Sequence, residues 1–146
     1  MSQNLPESCI NTSIVENNST ELSIYFGQLT GENILVHVKR ILQAFPNVTN
    51  SFIDLLIERA KENHFSDKRL TDAVNNTIDN CIYPVPTLAN FLSWDKKVKL
   101  YSYSEICDIV YGGSYKCSDF TRIKIKNIFT YVKNIDKIKY NIPDEL

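Results

Sequence analysis

The chain has 146 residues, 43% of them hydrophobic, and a formal net charge of −1. That size and apolar share suffice for one ordinary core, and no apolar run approaches the roughly 18–20 residues of a membrane span. The net charge conceals an uneven distribution: residues 1–32 hold Glu7, Glu16, Glu21 and Glu32 and no Lys or Arg, whereas residues 96–139 hold ten basic residues against four acidic ones.

Residues 1–21 are polar and rich in Asn, Ser and Glu, with no sustained period, which predicts a flexible acidic arm. Met1 to Pro6 lacks the basic and apolar regions of a secretory signal, so the expected compartment is the cytoplasm. Leu22 to Leu29, containing Ile24, Tyr25 and Phe26, is expected to pack on the core as a short helix or an extended piece.

From Glu32 a helical period sets in. Ile34, Leu35, Val38, Ile41, Leu42 and Phe45 form the inward face, His37, Lys39, Arg40 and Gln43 lie off it, Thr30 caps the start and Pro46 ends the helix. A second helix follows Thr49 or Asn50, with Phe52, Ile53, Leu56, Ile57 and Ala60 inward, and stops near Asn63 and His64. Ser66 caps a third, where Leu70, Ala73, Val74, Thr77, Ile78 and Cys81 recur at helical spacing. Asp67, Lys68, Arg69, Asp72 and Asp79 fall on its wet side.

Proline lacks an N–H and forces the preceding residue out of the helical region, so Tyr83-Pro84-Val85-Pro86 is extended. Thr87 then caps a short helix with Leu88, Phe91 and Leu92. Ser102-Tyr103-Ser104-Glu105 is a capping box leading into Ile106, Ile109 and Val110, and Gly112-Gly113 ends that helix. From Phe120 the alternation has a period of two: Ile123 and Ile125 point one way, Arg122, Lys124 and Lys126 the other, with a turn or bulge at Asn127. Ile135 and Ile138 are expected to pack back in a short terminal segment.

The predicted fold is mainly α: a small antiparallel helical bundle over 22–111 with a short C-terminal β-hairpin or strand pair. Residues 112–146 form a basic appendage packed on that bundle.

No phosphate-binding loop, dinucleotide fingerprint or nucleophile elbow occurs in the sequence. Cys9, Cys81, Cys107 and Cys117 lack the close pairing of zinc ligands, and His37 and His64 stand apart from them and from each other. The expectation is therefore a protein without catalytic residues, cofactor, metal or small-molecule substrate. The informative cluster is basic and aromatic. Lys96, Lys97 and Lys99 sit beside Trp94, Tyr101 and Tyr103, and Arg122, Lys124 and Lys126 project from one face of a strand. Lysine neutralises phosphates and aromatic rings stack on unpaired bases, so these nine residues are the candidate nucleic-acid or partner-binding set.

Over residues 34–92 the order of signals resembles the phage replicative helicase loader and inhibitor family. A first helix runs into Ala44-Phe45-Pro46, two amphipathic helices follow, and a proline turn, Tyr83-Pro84-Val85-Pro86-Thr87-Leu88-Ala89, opens a short helix. The stretch from Phe91 to Tyr103 also resembles uncharacterised prophage and mobile-element proteins. These resemblances imply a non-enzymatic phage or mobile-element replication adaptor that binds a replication protein, such as a hexameric helicase, and touches DNA. The alternative is a DNA-binding regulator that uses the basic ribbon directly.

Overall fold

The computed structural model describes residues 20–146. The predicted arm therefore lies outside the described residues except for Thr20 and Glu21. The described residues are mainly α, with six helices and two small antiparallel strand pairs, and none of these helices is long and apolar enough to cross a membrane.

The described residues divide into two compact units, one of Tyr25–Lys96 and one in which Thr20 to Ile24 join Lys97–Leu146. This differs from the expected boundaries at 22 and 112, for two reasons. Strand β1 (Glu21–Ser23) pairs antiparallel with β2 (Lys97–Lys99), and the helix opened by the capping box packs with the β-hairpin.

In the Tyr25–Lys96 unit, helices α1 (Gly31–Ala44), α2 (Asn50–Glu62), α3 (Asp67–Asn80) and α4 (Leu88–Leu92) follow one another. Each start is written locally. Hydroxyls of Thr30, Thr49 and Ser66 accept from the backbone N–H of Asn33, Phe52 and Arg69 at 3.3, 3.1 and 3.2 Å, satisfying donors that a helix leaves orphaned. The core joins Ile34, Ile41 and Phe45 of the first segment to Ile53, Leu56 and Ala60, Phe65, Leu70, Ala73, Val74 and Phe91. Each large side chain buried this way contributes roughly 1.5–3 kcal/mol. A helix of five residues is too short to persist by itself; α4 is held by Phe91, which is fully buried and meets Phe52 edge to face, and by the Thr77 hydroxyl, 3.0 Å from the Asn90 carbonyl.

Two assignments on α1 are corrected. Leu35 is 72% exposed, whereas His37 is 4% exposed and takes part in the inward face. Nor are Asp67 and Asp72 merely solvated. Asp67 accepts from the backbone N–H and the hydroxyl of Thr30 at 2.7 and 3.0 Å, and Asp72 accepts from the Tyr25 hydroxyl at 3.0 Å. Burial of that hydroxyl, with the Asp72 carboxylate beside it, pushes the Tyr25 pKa up to about 12.

In the other unit, α5 (Tyr103–Tyr111) starts at the Ser102–Glu105 capping box and closes at Gly112 and Gly113, the latter at φ +83°. A 3₁₀ turn at Cys117–Asp119 leads into β3 (Phe120–Ile125), β4 (Ile128–Lys133) and α6 (Asn134–Lys139). Lys126 and Asn127 form the two-residue turn between the strands, both at positive φ, 47° and 67°; this is the twist a tight hairpin needs, and Asn tolerates it best of the non-glycines. Ile135 and Ile138 do not pack back. They are 71% and 81% exposed, and Ile142, 2% exposed, is the terminal apolar residue that goes inside. Lys137 fixes that end by donating to the Ile142 carbonyl at 3.0 Å and pairing with Asp144 at 2.9 Å.

Candidate nucleic-acid interface

Register decides which side chains share a face, because residues directly opposite on paired strands point the same way. Phe120 faces Lys133, Arg122 faces Tyr131, and Lys124 faces Phe129. One side of the hairpin is thus entirely basic and aromatic. The opposite side carries Thr121, Ile123, Ile125, Ile128, Thr130 and Val132, of which Ile123 and Val132 are buried at 1% and 0% exposure.

Both edges of the hairpin are extended. Tyr101 and Tyr131 exchange backbone hydrogen bonds at 2.8 and 3.0 Å, which adds Tyr101 beside β4. On the other edge Lys124 bridges to Glu145, with its N–H donating to the Asp144 carbonyl at 2.8 Å. Tyr101 is buried with Ile106 and Phe120 and meets the Phe120 ring edge to face at 5.2 Å.

Above this base the rings and cations alternate. Tyr103, 68% exposed, leans on Tyr131 with centroids 6.3 Å apart. The Arg122 guanidinium lies 4.4 Å and the Lys124 ammonium 6.0 Å from the centre of the Phe129 ring, yet that ring remains 57% exposed. Lys99 stands 4.9 Å over Tyr101. Lys133 stands 4.6 Å over Tyr115 and donates to its hydroxyl at 3.2 Å, and this hydrogen bond raises the Lys133 pKa. The Tyr103 hydroxyl is also raised, chiefly by its hydrogen bond with Cys107.

Some of this charge is already matched. Lys99 pairs with Glu105 at 3.4 Å and Lys124 with Glu145 at 3.7 Å. Such exposed pairs are worth about 0–1 kcal/mol and exchange readily with another anion. Among the described residues no carboxylate pairs with Arg122 or Lys126, and Lys126 sits exposed at the hairpin tip.

Of the nine residues singled out in sequence, the structure brings Arg122, Lys124, Lys99, Tyr101 and Tyr103 around the hairpin, with Lys126 at its turn and Lys97 on the strand that Lys99 shares. Tyr101 is a core residue beneath the face and not a contact on it. Trp94 and Lys96 belong to the Tyr25–Lys96 unit. Trp94 packs against its helical core and its indole N–H donates to the Tyr25 hydroxyl at 2.8 Å, so its role is internal. Sequence reasoning missed Phe129, Tyr131, Lys133 and Tyr115 as members. The alternation in β4 was available as a signal, but assigning its parity to the basic side requires the length of the turn.

Three of the cysteines, Cys81, Cys107 and Cys117, are free thiols, and Cys9 lies outside the described residues. No family model, curated protein or solved structure matches the chain.

Proposed function

We propose that this protein is a non-enzymatic nucleic-acid-binding adaptor of phage or mobile-element replication. In this reading the basic, aromatic side of the hairpin contacts nucleic acid, and the helices of Tyr25–Lys96 act as an antiparallel bundle that presents a docking surface to a replication protein. The observation that carries the reading is the register that places Arg122, Lys124 and Lys133 on one side together with Phe129 and Tyr131. Cations that close, interleaved with rings, suit a polyanion that also carries flat bases.

Binding of this kind responds to salt. If Arg122, Lys124, Lys126 and Lys133 each neutralise one phosphate, log K falls with log salt at a slope of about −2.8 on a single strand and about −3.6 on a duplex. Arg122→Glu combined with Lys126→Glu should shallow that slope by about half and weaken binding at every salt concentration, as read by fluorescence anisotropy of a labelled oligonucleotide. An unchanged affinity in that double variant would refute the reading.

A second role, partner docking, is favoured by the apolar side chains that the helical unit leaves in solvent. Leu35 and Val36 are 72% and 55% exposed on α1, and Ile82 and Tyr83 are 86% and 68% exposed at the proline turn. Under the adaptor reading, a replicative helicase should be retained from nuclease-treated host extract by the unmodified chain and lost with Leu35→Glu. Retention by both would place the docking surface elsewhere.

A further inference from the structure

The basic, aromatic side of the hairpin has a spacing as well as a charge. Tyr103 and Tyr131 stand 6.3 Å apart centroid to centroid, and Tyr131 and Phe129, two residues apart on one strand, project about 6.7 Å apart from the same side. Two steps of nearly equal length therefore link the three rings. A nucleotide strand within a duplex advances only about 3.4 Å per residue. One base on each ring requires neighbouring nucleotides drawn out to about twice that advance, which an unpaired strand reaches by unstacking and a duplex does not.

Exposure points the same way. Phe129 and Tyr103 keep 57% and 68% of their surface in solvent, although burying an aromatic ring stabilises a fold more than exposing it. A duplex offers such rings sugar, phosphate and base edges but no open base face, because its base faces are already stacked on one another. An unpaired strand offers a π-face at every residue. Cations stand beside these rings. Arg122 lies over Phe129 at 4.4 Å, Lys124 is opposite it in register, and Lys126 holds the turn.

Building on the nucleic-acid reading above, we infer that the occupant of this face is an unpaired polynucleotide strand. Its successive bases stack on Tyr103, Tyr131 and Phe129, and its phosphates rest on Arg122, Lys124 and Lys126. The chemistry is shared by DNA and RNA, since neither the rings nor the cations require or exclude a 2′-hydroxyl.

The test uses the full chain with fluorescently labelled oligo-dT and oligo-U of about 12 nucleotides, within the ~4–16 nucleotides typical of single-strand sites, and a duplex of equal length. The expected result is that at least one of the single strands binds more tightly than the duplex, the two strands together telling which sugar is preferred. Phe129→Ala and Phe129→Leu should each weaken strand binding by about 5- to 150-fold while leaving duplex binding unchanged, and Phe129→Tyr should retain wild-type affinity. Circular dichroism melting checks that each variant stays folded, which the exposure of Phe129 favours. Duplex binding equal to or tighter than strand binding would overturn the inference and leave the broader nucleic-acid reading standing. Full strand affinity in Phe129→Leu would do the same, because leucine keeps the apolar contact and loses only the π-face. Failure to bind any of the three probes would bring down both.

Discussion

Arg69 looks from its position on α3 like a solvent-facing charge, and replacing it tests how much of the helical unit hangs on it. Its Nε donates to the Trp94 carbonyl at 2.7 Å, one terminal nitrogen donates to the Leu92 carbonyl at 3.3 Å, and the guanidinium lies 4.0 Å over the Phe65 ring. It thereby ties the C-terminal side of α4 back to the start of α3. A short bond from a charged donor contributes about 1.5–3 kcal/mol, with the longer one adding less. The ring contact adds about 0.5–1 kcal/mol. Partial exposure lets water replace part of what is lost, so Arg69→Met, which keeps the apolar stem, should cost about 2–3 kcal/mol. The control is Lys68→Met. That side chain is 70% exposed and makes a single ion pair with Asp72 at 2.6 Å, worth about 0–1 kcal/mol. Trp94 is the only tryptophan and sits at the contact in question, so its fluorescence in a urea titration reports the unfolding of this unit. With a slope of about 1–3 kcal/mol per molar urea, the Arg69→Met midpoint should drop by about 0.7–3 M. A drop no larger than that of Lys68→Met would mean that water replaces the guanidinium at no cost and that Arg69 does not staple α4 to α3.

Two other outcomes follow from local geometry. The Thr71 hydroxyl donates to the Asp67 carbonyl at 2.8 Å, so its oxygen accepts from His37 Nε2 at 2.9 Å, leaving Nδ1 to accept from Arg40 at 3.4 Å. Burial and the neighbouring Arg40 lower the His37 pKa below its ordinary 6.5; the unfolded chain therefore binds the proton first, and His37 contributes stability that is complete above about pH 6.5 and is lost as pH falls through the folded value. Urea midpoints of His37→Gln should lack that component of acid sensitivity, and a pH profile identical to wild type would refute the assignment. At the hairpin turn, Asn127→Val forces a β-branched residue to φ 67° and should destabilise the strand pair by about 1–2 kcal/mol, seen as faster hydrogen exchange at the amides of Ile123 and Thr130, which are opposite each other across the pair; Asn127→Gly should not.

The helical starts were legible because a cap is a local event: a hydroxyl three residues ahead of the N–H it serves is visible in the sequence, as at Thr30, Thr49, Ser66 and Ser102. The inward stripe was legible only as far as residue type tracks angle. On α1 the buried positions Ile34, His37 and Ile41 follow helical spacing, and Leu35 lies a further 100° around the axis. Assigning Leu35 inward and His37 outward followed polarity where the geometry followed angle, and the partners that make a buried histidine tolerable come from Thr71 on another helix. Pairing of Glu21–Ser23 with Lys97–Lys99 had no local signal at all, because strands that meet across a whole unit carry no turn between them. The exposure of Ile135 and Ile138 escaped for a related reason: apolar identity argues for burial, but a six-residue helix following β4 can bury only the side its neighbours reach.

The same distinction separates the basic cluster as read from sequence and as built in space. Nearness along the chain grouped Trp94 and Lys96 with Lys97, Lys99, Tyr101 and Tyr103, yet the chain passes from one compact unit to the other between Lys96 and Lys97. Trp94 spends its indole N–H on Tyr25, and Tyr101 spends its ring on Phe120. What replaces them is set by a two-residue turn. With Lys126 and Asn127 as the loop, Ile125 pairs with Ile128, so every second residue of β4 from Phe129 onward joins the side of Arg122 and Lys124. One residue more in that turn would shift the pairing and send Phe129, Tyr131 and Lys133 to the opposite side. The candidate surface therefore depends less on how many lysines the second half carries than on the backbone conformation of Asn127.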